Sequence, residues 1–321
     1  MVYDCFLFNT ELDLLKLRLS FLNDVADYFV IVESKRTLSG QSKMLYYKEN
    51  KSIFEKYKHK IIHVEAPLMP QLAAWDYEFF QRNYIKEALK NCNADDIILI
   101  SDLDEIVNLK YILSIPGLQL PALIDLPYYY YFFNLKANAT FNAMPLLSKY
   151  LVIKQMDIGE RNEGYKNQVQ NVLKKEAHRT GWHFSYLFGF DIPKYLEKIR
   201  SFSHQEYNTP YFLNLQRIRK CIKCGIDLFE RKNIFFSFKS SDSDIFELKQ
   251  HITELEMEHL IYKPPTMYFF QRDVFFFIVK KKILPLVKLK LYVEPRYKLI
   301  VFTSPYRKKI RKGIVKVSGR K

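Results

Sequence analysis

Hydrophobic positions in the first third of the chain switch between continuous runs and helical spacing. Tyr3 to Asn9 reads as a strand. From Glu11 to Leu22, Leu12, Leu15, Leu19 and Leu22 recur at three- and four-residue intervals, which is one face of a helix. Tyr28 to Val32 is an unbroken, β-branched apolar run of the kind found in strands covered on both faces. Strand, helix and strand within about 30 residues predict a βαβ unit, hence a sheet that is parallel where it begins. Further on, Lys60 to Val64 predicts a strand, Trp75 to Leu89 a helix, and Ile97 to Ile100 a short buried strand. Pro116, Pro121 and Pro127 mark irregular connections. They precede an aromatic strand, Tyr128 to Phe133, whose alternation puts about half of its rings in the core. Trp182 to Phe188 predicts another strand. A helix from Pro193 to Phe202 has proline in its first turn, and a helix from Asp244 to Leu260 has Ser243 or Asp244 as its cap. The expected fold class is α/β: a mixed, mainly parallel sheet flanked by helices over residues 1–232, and a smaller, basic helical or extended region over residues 233–321.

Composition narrows the classes. With 321 residues, 48% of them hydrophobic, the chain can bury a large core, which excludes disorder and a small disulfide-stapled scaffold. Cys5, Cys92, Cys221 and Cys224 are too few and too scattered for a disulfide framework. The lone Cys221-Ile222-Lys223-Cys224 lacks the second pair that a zinc ribbon needs. Met1 to Asn9 has no basic stretch leading into an apolar one, and no uncharged apolar run reaches the ~18–20 residues that span a bilayer. The expectation is a cytoplasmic protein, soluble or peripheral at the inner face of the membrane. A net charge of +15 first points to nucleic acid or an anionic membrane. Its position decides between them. Residues 273–321 hold 15 Lys and Arg against 2 Asp and Glu, so the rest of the chain carries only +2. Lys280 to Lys282 and Arg307 to Lys312 are interleaved with Phe, Ile, Leu and Val, which suits an anionic membrane surface. No nucleic-acid partner is expected.

The densest chemistry is Asp95-Asp96-Ile97-Ile98-Leu99-Ile100-Ser101-Asp102-Leu103-Asp104-Glu105. A parallel strand delivers the residues after it to the carboxyl edge of the sheet, where open α/β sheets bind ligands. Asp102, Asp104 and Glu105 repel one another unless a cation or strong donors compensate. Such oxygen ligands suit Mg²⁺ or Mn²⁺ bridging a diphosphate. Two chemistries use Asp-x-Asp at a strand end: a phosphatase of the haloacid-dehalogenase type, with the first Asp as nucleophile, and glycosyl transfer from a nucleotide sugar. The phosphatase motif comes after the first strand and has Thr or Val two residues past the second Asp. Here at least two strands come first and that position is Ile106. The placement favours sugar transfer.

Three blocks extend the match. Tyr3 to Leu15 runs on through Arg18 to Phe29-Val30-Ile31-Val32-Glu33-Ser34 and Thr37-Leu38-Ser39-Gly40. Gln81-Arg82-Asn83-Tyr84-Ile85 leads into Asp96 to Ile106. Gly181-Trp182-His183-Phe184-Ser185-Tyr186 precedes Lys198-Ile199 and Ser201 to Tyr207. Over residues 3–230 the chain resembles glycosyltransferase family 17. The resemblance implies a GT-A-like fold, a UDP-N-acetylglucosamine donor, a divalent Mn²⁺ or Mg²⁺, and inversion at the anomeric carbon, with a glycan as acceptor; a tail docked on a membrane would hold the enzyme beside a lipid-linked glycan. The donor-binding residues are then Phe8, Asn9, Glu33, Arg82, Asp102 and Trp182, with Arg82 equally placed for an i,i+4 pair with Glu78. Asp102 and Asp104 would hold the metal across the diphosphate, and His183 and His204 are candidates for a third ligand or a phosphate donor. Asp191, Glu206 and Glu105 are candidates for the base that takes the acceptor proton. One or two tyrosines of 128–131 are candidates to stack on an acceptor sugar.

Overall fold

The computed structural model describes residues 1–263 apart from 141–142, 175–178, 232–233, 235 and 239–241, and beyond that only 290–293 and 299–302. The chain forms two compact units, Met1–Lys263 and Pro264–Lys321.

The first unit holds two sheets. The larger comprises β1 (Val2–Leu7), β2 (Tyr28–Ser34), β3 (Ile61–Ala66), β4 (Ile97–Ile100), β6 (Ala122–Ile124), β9 (Leu146–Lys149) and β10 (Val172–Leu173), in the order β10-β6-β9-β4-β1-β2-β3. Its pairings are parallel except those of β9, which runs against β4 and β6. The helix Leu12–Leu22 carries the chain from β1 to β2 and buries Leu15, Leu19 and Leu22 against Phe6, Phe29, Ile31 and Leu99. The opposite face, with Cys5, Val30, Val32, Ile98 and Ile100, packs on Ile85, Leu89, Ile153 and Tyr165. Cover on both faces is why β2 and β4 read as unbroken apolar runs.

The smaller sheet comprises β5 (Glu105–Val107), β7 (Pro127–Tyr130), β8 (Leu135–Thr140), β11 (Gly181–Ser185) and β12 (Phe236–Phe238), in the order β12-β8-β7-β11-β5. β11 runs parallel to β7 and antiparallel to β5, which sets His183 level with Tyr128 on one side and Glu105 on the other. The acidic turn between β4 and β5 therefore joins the two sheets.

Three expectations change in detail. The aromatic strand ends at Tyr130 because Tyr131 takes a left-handed φ of 67°, and all six rings of Tyr128 to Phe133 are buried rather than half of them. β11 stops at Ser185 because Tyr186 has φ 52°. Asp244 to Leu260 is a 3-10 turn (Asp242–Leu248), a short helix (Lys249–Glu254) and a second 3-10 turn. It is broken by Ile245 at φ −122° and by Glu256 at φ 55°. This segment belongs to the first unit, past the expected boundary at 232, because Leu248, Ile252 and Leu260 are buried in the same core as Leu19 and Trp182.

The second unit contributes an antiparallel pair, β13 (Lys290–Val293) and β14 (Leu299–Phe302). The basic stretches Lys280 to Lys282 and Arg307 to Lys312 lie outside the described residues. Among the described residues no helix is long and apolar enough to cross a membrane. Cys221 and Cys224 are buried on the helix Leu215–Cys224, and Cys5 is buried on β1.

Candidate active site

Arg18 lies beneath the acidic turn, fully buried on the first helix. Its Nε and Nη2 bond the Asp4 carboxylate of β1 at 2.8 and 2.6 Å. Its Nη1 donates to the carbonyls of Asp102, Leu103 and Glu105 at 2.6, 3.1 and 3.0 Å, and Nη2 donates to Ser101 Oγ at 2.5 Å. A single guanidinium, rigid and multiply donating, fastens the turn from below.

The repulsion expected among the carboxylates is answered by cations from distant segments. Asp102 meets Arg82 Nη2 at 3.1 Å with one oxygen and Arg161 Nη1 at 2.5 Å with the other. Glu105 brings both oxygens to Arg161 Nη2, at 2.9 and 2.7 Å, and accepts the Asp102 amide at 2.7 Å. Asp104 faces Lys198 Nζ at 3.0 Å, and Lys198, on the helix Ile192–Ser201, also reaches Glu11 at 3.2 Å. Burial pushes the Asp102 carboxyl up, but Arg161 and Arg82 outweigh it and hold it well below the usual carboxylate range. Burial prevails at Glu105, whose carboxyl is raised despite Arg161. For Lys198 burial acts downward, and Asp104 and Glu11 more than reverse it.

A cleft of about 670 Å³ opens over the turn. Phe8, Asn9, Arg36 and Thr37 line it from the ends of β1 and β2, Trp75, Phe79 and Arg82 from the helix Ala74–Asn83. Tyr128, Tyr130, His183, Tyr186 and Arg231 line it from the side of the smaller sheet. Of the residues expected to form the site, Phe8, Asn9, Arg82, Asp102, Asp104, His183 and His204 are on its wall. The i,i+4 alternative for Arg82 is also realised, with Nη2 2.7 Å from Glu78.

The others are elsewhere. Trp182 is wholly buried, packed edge-on to Phe21 at 5.4 Å, and its indole N–H is satisfied by Asp244 O at 2.6 Å, so it is a core residue and not a donor contact. Glu33 is also fully buried, held by the Tyr47 and Lys48 amides at 3.0 and 3.4 Å and by His63 Nε2 at 3.2 Å, and does not face the cleft. Glu105 is saturated by Arg161 beneath the wall. Asp191 lines an adjoining cavity of about 680 Å³, which shares Asn9, Thr37, Lys43 and Ser201 with the cleft, and lies 3.6 Å from Lys194. Glu206 is exposed outside the cleft lining and bonds His204 Nδ1 at 2.7 Å. None of the three base candidates is on the cleft wall. Sequence reasoning missed Arg161, Arg231 and the role of Lys198. The demand for counter-charges was the signal, but it named no positions.

Asp104 Oδ1 and His183 Nε2 stand 3.6 Å apart. Among the described residues no three His, Cys, Asp or Glu side chains converge into a complete metal cage. Mg²⁺ at nucleotides is held by one or two carboxylates completed by phosphate oxygens, and Asp104, whose neighbours are Lys198 and His183 and no guanidinium, is the carboxylate of the turn that fits that role. Asp102 does not fit it, since each of its oxygens already faces a guanidinium. His204 stands apart from the pair, edge-on to Trp75 with ring centroids 4.6 Å apart.

The sequence profile of glycosyltransferase family 17 matches residues 1–271. The beta-1,4-mannosyl-glycoprotein 4-beta-N-acetylglucosaminyltransferases of Homo sapiens and Rattus norvegicus are each 33% identical to this chain over 107 residues, and that of Mus musculus is 32% identical. Each match takes in 30% of this chain and 20% of the relative, so the chain covers only a fifth of the length of these proteins. The family profile, by contrast, runs through both sheets, the acidic turn and every wall of the cleft: the chain belongs to glycosyltransferase family 17.

Proposed function

We propose that this protein transfers a sugar, N-acetylglucosamine first among candidates, from UDP to a glycan hydroxyl with inversion, on a GT-A-like scaffold and with Mn²⁺ or Mg²⁺. The observation that carries this reading is an acidic turn at the carboxyl edge of a parallel sheet, set in a cleft whose wall brings Arg36, Lys43, Arg82, Arg161, Lys198 and Arg231 together with aromatic rings and three further carboxylates, Glu11, Glu78 and Glu160. Such a lining suits a diphosphate, and the strand ends beside it suit a nucleoside. Phe8, Asn9, Arg36 and Thr37 receive the nucleoside end of the donor. Arg82 and Lys198 face the diphosphate and offset the negative charge that grows on UDP as the bond to the sugar breaks. Asp104, with His183 3.6 Å from it, would hold a divalent ion, which would supply Lewis-acid neutralisation of the same oxygens. The bond from the anomeric carbon to UDP breaks through an oxocarbenium-like state as the acceptor hydroxyl attacks from the opposite face, and its proton passes to a carboxylate of the cleft wall, which holds Glu11, Glu78 and Glu160 besides the acidic turn.

The choice of N-acetylglucosamine rests on the names of the similar mammalian proteins. The acceptor is a glycan, and the basic residues of 273–321 dock the enzyme on an anionic membrane at its cytoplasmic face, next to a lipid-linked form of that glycan. Calorimetry tests the core of this reading. UDP-N-acetylglucosamine is expected to bind with Mn²⁺ present, and Asp104→Ala to remove the metal dependence. Hydrolysis of phosphomonoesters with no response to any nucleotide sugar would overturn it.

A further inference from the structure

Tyr130 ends β7, Tyr186 comes directly after β11, and both line the cleft. The two residues are 1% and 3% exposed, and neither hydroxyl has a hydrogen-bond partner among the described residues. An unpaired buried hydroxyl is destabilising, and native structures seldom keep one without a use. Two neighbouring tyrosines show the ordinary solution. Tyr128 Oη accepts from Arg231 Nη2 at 3.3 Å, and Tyr131 Oη donates to Ile226 O at 2.7 Å.

The two unpaired rings are held where they are. Tyr130 lies flat on Phe236, with centroids 4.9 Å apart and planes 8° apart, and edge-on to Tyr186 at 5.6 Å. Tyr186 stacks on Tyr195 at 5.9 Å, and Tyr195 is anchored by its hydroxyl to Gly189 O at 2.7 Å. The backbone of Tyr186 is left-handed, φ 52°, a conformation that bulky residues adopt under strain and that clusters at ligand sites.

Their surroundings select a ligand. Lys198 Nζ, bonded to Asp104, is 5.1 Å from the Tyr186 ring centroid, so this wall begins where the proposed diphosphate site ends. Arg231 lies 5.9 Å from the Tyr130 centroid on the other side. Phenol hydroxyls that both donate and accept complement a pyranose, whose own hydroxyls have the same dual character.

We propose that Tyr130 and Tyr186 form the subsite for the transferred sugar and select it, each hydroxyl pairing with a hydroxyl or amide of the pyranose. This deepens the sugar-transfer reading and rests on it. The subsite is frustrated when empty and satisfied when the sugar enters, so its two tyrosines oppose stability to recognition.

Tyr130→Phe and Tyr186→Phe, made singly in the full chain, test this with two readouts of opposite sign. Thermal unfolding of the free variants is expected at or above the wild-type Tm, since Phe keeps the shape and removes the unpaired oxygen. With Mn²⁺ present, UDP should bind each variant within about twofold of wild type, while kcat/KM for slow hydrolysis of the preferred UDP-sugar falls about ten- to a hundredfold. UDP-N-acetylglucosamine, UDP-glucose and UDP-galactose serve as the probes. Variants that match wild type in rate and in preference among these three overturn the subsite, and so do variants that lose UDP itself, which would place the rings against the nucleotide. A lowered Tm also overturns it, because the hydroxyls would then be paired in the free protein. A wild-type chain that binds no nucleotide sugar overturns the underlying reading instead, and the proposal with it.

Discussion

Arg161 is the side chain on which the charge balance of the acidic turn most directly rests. It is 4% exposed and touches both Asp102 and Glu105. Removing it leaves the buried Glu105 carboxylate without its partner, which for a buried ion pair typically costs about 3–5 kcal/mol, while Asp102, 42% exposed, keeps Arg82 and water. Arg161→Met is expected to lower the free energy of unfolding by that order in urea titrations. The same cluster fixes an acid dependence. Asp102 is held below its ordinary value in the folded state, so the stability it contributes is complete above the unfolded carboxylate value of ~3.9 and is lost as pH falls from there through the depressed folded value. Stability of the wild type should therefore decline below about pH 4. Arg161→Met should flatten that decline. At this scale the carboxylates were legible and their partners were not, because Arg161 and Lys198 come from 56 and 94 positions away. Trp182 was misplaced for a different reason. It adjoins His183 in sequence, but neighbours in a strand point to opposite faces, so one enters the cleft and the other the core.

Among the elements, β11 has the least room. Gly181 has φ +126°, and a Cβ there would meet Ile106 O at 2.3 Å and Val107 Cα at 2.8 Å on β5. Gly181→Ala must push the two strands apart or change the backbone, a strain of about 1–3 kcal/mol. Because β11 carries His183 and β5 starts directly after Asp104, the variant should lose both Tm and Mn²⁺-dependent donor binding, measured by thermal unfolding and calorimetry. Elements covered on both faces, such as β2 and β4, were readable as unbroken apolar runs, and the leucine spacing of Leu12–Leu22 gave the intervening helix. The places where elements stop at Tyr131, Tyr186 and Glu256 were not readable. Each takes a positive φ without being glycine, and tertiary packing, not composition, imposes that.

For the molecule as a whole, the described core of the family match is one compact unit ending at Lys263. A chain of residues 1–263 is expected to unfold cooperatively and to bind UDP as the full chain does. The full chain should float with phosphatidylserine-rich vesicles and be released by salt, while the shortened chain should stay in solution, since residues 1–272 carry a net charge of only +2. The expected boundary at 232 was too early because the contacts that draw residues 242–260 into the core are long-range, among them Ser20 Oγ to His251 Nδ1 at 2.8 Å. Arg18, finally, gives the acidic turn a timescale. The carbonyls of Asp102 and Glu105 are tied to a side chain with no exposure, and the amides of the same two residues bond within the turn at 2.7 and 3.0 Å. The turn therefore has no local opening that spares the core, and hydrogen exchange at these amides should proceed only as fast as the entire unit unfolds. A donor arriving at such a turn finds it already ordered, and binding surrenders no chain entropy there.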